Sequence, residues 1–109
     1  MFIIDNDTNT MTIVKKDTAS FDVALENYSL DSGDTVTFTV AKELEQESPD
    51  LQIVVADFID GVAMVAITSE DSNLEVGTYY YDIQVNTRDG RVDTIVGPAK
   101  FKVIGGVTY

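Results

Sequence analysis

Apolar and polar positions alternate along most of this chain, and the alternation divides it into short strands separated by turn signals. Asp34 to Lys42 (DTVTFTVAK) sets the pattern: Val36, Phe38 and Val40 share one face, and Thr35, Thr37 and Thr39 share the other. Successive strand side chains face opposite sides of a sheet, so this is a half-buried strand with a threonine-rich wet face. Phe21 to Tyr28 (FDVALENY) likewise sets Phe21, Val23 and Leu25 against Asp22, Ala24 and Glu26, and Ser29 to Gly33 follows as a turn cluster. Met11 to Val14 is a short run suited to an edge strand or an N-terminal arm. Residues 1–18 are therefore expected to be an arm or edge strand, and residues 19–109 a single β domain.

Further along, Glu43 to Asp50 (ELEQESPD) is acidic and contains Pro49, which predicts a surface loop or a short helical turn. Leu51 to Ile59 and Val62 to Thr68 read as two strands around Asp60–Gly61, a pair that favours a tight hairpin. Glu70 to Gly77 is a crossover loop, and Thr87 to Arg91 holds a second Asp–Gly turn. The final run, Val92 to Ile104, is interrupted at Gly97–Pro98. Proline cannot donate to a ladder, so this strand should be an edge or kink there. About seven short strands with turns every 8–12 residues and no helical periodicity point to an antiparallel β-sandwich of immunoglobulin-like type.

The stretch VGTYYYDIQV, residues 76–85, places Tyr79, Tyr81, Ile83 and Val85 on one face and Thr78, Tyr80, Asp82 and Gln84 on the other. In immunoglobulin-like sandwiches a tyrosine near the start of the penultimate strand bonds back to the crossover backbone, two residues before a cysteine position. Tyr79 fits that corner. Tyr81 fits the cysteine position, where a large ring can fill the space between sheets that have no disulfide. Tyr80 should then face outward. The three tyrosines read as two core residues and one exposed neighbour, the alternative being an aromatic ligand platform.

Composition narrows the function. The chain of 109 residues carries 19 acidic and 7 basic side chains, a formal charge of −12. This field opposes phosphate backbones and anionic membranes, so neither nucleic acid nor membrane is an expected partner, and charged partners should be basic. There is no cysteine and no histidine. Disulfides, thiol chemistry, thiolate metal sites and the usual general base are thereby removed. The serines lie in no G-x-S-x-G elbow and there is no phosphate loop, so an enzyme is not expected and no cofactor is implied. Asp5, Asp7 and Asn9 resemble the opening of a calcium loop, but Thr10 replaces the required glycine and Lys16 the required carboxylate, so a solvated acidic turn is the reading. Asp57, Asp60 and Asp82, and Glu70 with Asp71, are the carboxylates that acid–base chemistry would have to use. The N-terminus lacks a basic start and a long apolar run, so synthesis and folding in the cytoplasm are expected.

Val54 to Ile67 (VVADFIDGVAMVAI) carries only two charges. In its second strand both faces are apolar: Val62, Met64 and Ala66 against Ala63, Val65 and Ile67. A sandwich strand needs one apolar face. Either the chain's own loops cover the second face or its alanines dilute it harmlessly, or it is a docking or self-association surface centred on Val62, Ala63, Met64, Val65 and Ile67.

Taken with the ending Gly97–Pro98–Ala99–Lys100–Phe101–Lys102–Val103, the segments GDTVTFTV (33–40) and VGTYYYDIQV resemble the small immunoglobulin-like module of phage and prophage virion proteins. These include the N-terminal domain of baseplate upper proteins and head-fibre or tail-fibre proteins. The resemblance spans residues 19 to 104 and rests mainly on sandwich-building residues. It implies a non-enzymatic, virion-associated structural module that docks other virion or fibre proteins, often within an oligomer. The sequence runs to Tyr109 with no receptor-binding region after it, which implies an adaptor or accessory role. A carbohydrate-binding or cell-surface immunoglobulin-like module, stacking ligands on Tyr28, Tyr80 or Tyr109, is the alternative.

Overall fold

A computed structural model describes residues 1–25 and 33–107. Eight strands follow in order: β1 Phe2–Ile4, β2 Met11–Val14, β3 Ala19–Ala24, β4 Thr35–Ala41, β5 Leu51–Val55, β6 Val62–Ile67, β7 Gly77–Asn86 and β8 Val92–Ile104. They form a six-stranded sheet of order β1-β2-β8-β7-β4-β5 and a two-stranded sheet, β3-β6. The fold is an all-β sandwich, with no helix among the described residues. The far end of the segment Phe21 to Tyr28 lies outside the described residues.

Period-two alternation explains the core. Met11 and Ile13 of β2, Val36, Phe38 and Val40 of β4, Tyr79, Tyr81, Ile83 and Val85 of β7, and Phe101 and Val103 of β8 are buried. They join Val23 of β3 and Ala63, Val65 and Ile67 of β6 in one cluster. Aromatic rings link the two sheets. Phe21 meets Phe38 edge-on at 5.3 Å, and Phe38 in turn lies 5.5 Å from Tyr81 and 6.0 Å from Phe101. Edge-on and tilted arrangements of this kind bring the electropositive ring edge to the electronegative face.

Three expectations need correction. First, the N-terminal segment is neither an arm nor, at Met11–Val14, an edge: β2 lies between β1 and β8, and the edge is the three-residue β1. That run is too short to show a period. Second, the sandwich is not wholly antiparallel, because β2 runs parallel to β8, with Met11 opposite Phe101 and Val14 opposite Ile104.

Third, β5 and β6 do not form a hairpin. β5 pairs with β4 and β6 with β3, so the connection crosses from one sheet to the other. The Asp60–Gly61 turn itself is present, with φ of +53° and +74° and reciprocal bonds between Ile59 and Val62 at 3.0 and 2.9 Å. Two positive φ values are what a type I′ turn needs, but the ladder stops after one pair because Val55 is already committed to Val36. The expectation of an edge or a kink at Gly97–Pro98 holds on both counts. β2 covers Phe101–Ile104, whereas Val92–Pro98 has β7 alone as neighbour.

The Gly97–Pro98 interruption is a bulge. From the pair Tyr81–Ala99 to the pair Ile83–Val96, β8 spends one residue more than β7, and it does so again before Gln84–Thr94. Gly97 has φ of +100°, and a Cβ there would meet the Tyr81 carbonyl oxygen at 2.6 Å. Only glycine allows so close a backbone approach.

Candidate functional site

The outer face of the six-stranded sheet carries the even-numbered residues of β7 and the odd-numbered residues of β4. Register places Ala41 beside Tyr80, Thr39 beside Asp82 and Thr37 beside Gln84, with Gln52 of β5 on the far side of Thr39. All of these except Thr37 floor a groove of about 740 Å³. One wall is the acidic loop, through Glu43, Leu44, Glu45, Gln46, Glu47 and Pro49, and Pro98 contributes from the β8 bulge.

The loop is held in place by its own polar groups. Asp50 Oδ2 accepts from the Lys42 amide at 2.8 Å and from Gln46 Nε2 at 3.3 Å, while Gln46 Nε2 also donates to the Ser48 carbonyl at 2.7 Å. Gln46 Oε1 accepts from the Glu43 amide at 3.2 Å, and the Asp50 amide returns to the Val40 carbonyl at 2.8 Å. Local side-chain bonds of this kind give the backbone an alternative to a ladder. They leave Glu43, Leu44, Glu45 and Glu47 exposed along the wall, with Leu44 58% accessible.

The three tyrosines divide as the alternation requires. Tyr79 is buried, and its hydroxyl donates to the Glu75 carbonyl, four residues upstream, at 2.7 Å. Tyr81 is buried against Phe38, and its hydroxyl donates to the Asn9 carbonyl at 2.5 Å, tying the N-terminal turn to the core. Tyr80 is half-buried on the groove floor. Burial pushes the Tyr81 phenol above its ordinary 10.0. Burial does the same at Tyr79, reinforced by the negative charges of Asp50 and Glu75. Asp82, two residues on from Tyr80 along the same face, has its carboxyl pushed up by loss of hydration. No hydrogen bond or ion pair reaches that carboxylate among the described residues.

The proposed surface on β6 is reassigned. Ala63, Val65 and Ile67 are buried in the core and cannot meet a partner. Only Val62, Met64 and Ala66 point outward. Met64 is 58% accessible, but its register neighbours are Asp22 and, on either side, Ser20 and Ala24. Alanine, serine and aspartate dilute that face, so it offers one large apolar side chain rather than a broad patch.

The other carboxylates do not converge. Asp57 and Asp60 are exposed on the β5–β6 connection and do not line the groove that holds Asp82. Asp71 closes a turn with Thr68, its Oδ2 accepting the Thr68 amide at 2.9 Å and its own amide donating to Thr68 Oγ1 at 3.1 Å. Asp5 accepts the Asp7 amide at 2.9 Å within the N-terminal turn. Among the described residues no group of three or more Asp or Glu side chains is placed to hold a metal ion, and no helix is long and apolar enough to cross a membrane. Tyr28 and Tyr109 lie outside the described residues.

Sequence reading identified Tyr80 and Asp82 but missed Gln46, Asp50, Gln52 and Pro98. Their alignment with Tyr80 depends on the β4–β7 register and the β8 bulge, neither of which leaves a local signal. No protein-family model matches the sequence, and no curated protein sequence matches it.

Proposed function

We propose that this chain is a non-enzymatic recognition module of immunoglobulin-like type that acts by docking a protein partner, as a structural component of a phage or prophage virion appendage. The observation that carries docking is the groove. A bulged sheet and a loop fixed by Gln46 and Asp50 present Tyr80 and the unpaired Asp82 in a concave surface built before any ligand arrives. Pre-organisation of this kind reduces the ordering cost of association. The immunoglobulin-like reading is supported by the order β2-β8-β7-β4-β5 facing β3-β6, together with the Tyr79–Glu75 bond at the β6–β7 corner. The virion assignment rests on the resemblance of GDTVTFTV, VGTYYYDIQV and the closing PAKFKV.

Antibody labelling of purified particles from an induced host tests the assignment. Label at a fixed position on the tail or head appendage is the expected outcome, and particles free of the chain would contradict it. One observation favours a second reading, a glycan-binding module: the groove that holds Tyr80 is also lined by the amides of Gln52 and Gln84, groups that suit a sugar ring and its hydroxyls. Saturable hits on a glycan array that vanish in Tyr80→Ala would promote it.

A further inference from the structure

Among the described residues, the groove beside Tyr80 presents an asymmetric chemistry. Its lining includes the carboxylates of Glu43, Glu45, Glu47 and Asp82 and no lysine or arginine. None of the four forms an ion pair with a described residue; the ion pairs seen between described residues are Met1 with Asp17, Lys42 with Glu75, and Arg91 with Asp93. Lys100 and Lys102 share the outer sheet face but stand on β8, opposite Tyr80 and Thr78 in register, and do not line the groove. Tyr80, Leu44, Ala41, Pro49 and Pro98 add apolar surface of the kind that covers an aliphatic stem, beside the neutral polar groups of Thr39, Gln46, Gln52 and Gln84.

We infer that this groove docks a basic peptide segment of the protein partner, one lysine or arginine stem lying along Tyr80 with its charged head between Asp82 and the carboxylates of the acidic loop. The inference rests on the docking reading above and names the chemistry of the partner. Three physical arguments select this occupant. A partly dehydrated carboxylate without a partner is stabilised by an incoming cation, which restores the interactions lost with water. An aromatic face attracts an ammonium or guanidinium group within about 6 Å of its centre. A chain with a formal charge of −12 also steers basic partners toward it. An acidic or phosphorylated segment would meet repulsion in the same groove, and a neutral glycan would leave the four carboxylates unpaired.

The test uses the full chain and three short synthetic peptides, one rich in lysine, one rich in arginine and one with glutamate at the same positions, with binding followed by fluorescence anisotropy. The basic peptides bind saturably, the glutamate peptide does not, and affinity falls as salt rises. Tyr80→Ala, which leaves the net charge unchanged, lowers affinity about fivefold to tenfold, whereas Tyr80→Phe keeps it within about twofold. Asp82→Asn with Glu47→Gln lowers affinity about tenfold. Asp57→Asn with Glu70→Gln, which removes the same charge away from the groove, lowers it less than about twofold. Far-UV circular dichroism confirms that each variant is folded. Equal losses in the two double variants, or no loss in Tyr80→Ala, would overturn the inference by showing diffuse attraction to an acidic surface. Saturable binding of oligosaccharides without binding of either basic peptide would overturn it in favour of the glycan reading. Particle labelling is independent of these outcomes, so a chain found on virions whose groove ignores basic peptides refutes this inference alone.

Discussion

Tyr79 and Tyr81 each combine a buried ring with a hydroxyl bonded to a distant carbonyl, at Glu75 and Asn9 respectively. Removing either hydroxyl loses one neutral hydrogen bond, so Tyr79→Phe and Tyr81→Phe should each cost about 1 kcal/mol in chemical denaturation. Their titration gives a second, independent prediction. Both phenols are pushed above 10.0, so the folded chain holds these protons more tightly than the unfolded chain. The stability they contribute is complete below about pH 10 and is lost as pH rises through the folded-state values. Thermal unfolding measured across the alkaline range should show that decline, and the double Tyr→Phe variant should flatten it. Asp82 has the same direction of shift: its ionised form is disfavoured by dehydration, so folding gains as pH falls through the raised value. Asp82→Asn should therefore raise the melting temperature while weakening basic-peptide binding. The faces of these residues were legible in the sequence, because period two fixes them. The acceptor of the Tyr81 hydroxyl was not, since Asn9 is 72 residues away and nothing local marks it.

At the scale of elements, alternation located most strands but not their neighbours. DGVAMVAI reads as the second arm of a hairpin, and its Asp–Gly turn forms. The chain nonetheless changes sheet there, because β4 pairs with β5 and β3 with β6. Pairing is decided by the shared core and not by the turn, so the apolar side of β6 carrying Ala63, Val65 and Ile67 went inward, leaving Met64 outside. The acidic loop Glu43 to Asp50 was legible as a loop, but its role as a groove wall was not, because that role depends on Gln46 and Asp50 fixing its path. Asp50→Ala removes the acceptor of the Lys42 amide and of Gln46 Nε2. It should cost about 1 kcal/mol, speed hydrogen exchange at Lys42 and weaken peptide binding without altering the core. The β8 bulge is the other element on which the groove depends. Gly97→Ala places a Cβ against the Tyr81 carbonyl at a backbone φ that L-residues avoid. A loss of about 2 kcal/mol or more is expected in a urea titration.

Over the whole molecule, the ring cluster Phe21, Phe38, Tyr81 and Phe101 joins the two sheets where no disulfide does. Phe38 is fully buried at its centre, so Phe38→Ala should cost about 3–5 kcal/mol, a large share of the stability of a domain this size. With the inner faces spent on this core, only the outer faces are left for the proposed docking. The two are unequal: β3–β6 offers Met64 among small residues, whereas the six-stranded sheet offers a walled groove with Tyr80 and unpaired carboxylates. Backbone amide shift mapping of the isotopically labelled chain, titrated with the lysine-rich peptide, decides between them. Shifts are expected to cluster at residues 39–52, 80–84 and 97–99. Shifts clustered instead at residues 20–24 and 62–67, or spread evenly over every acidic loop, would contradict docking in the groove.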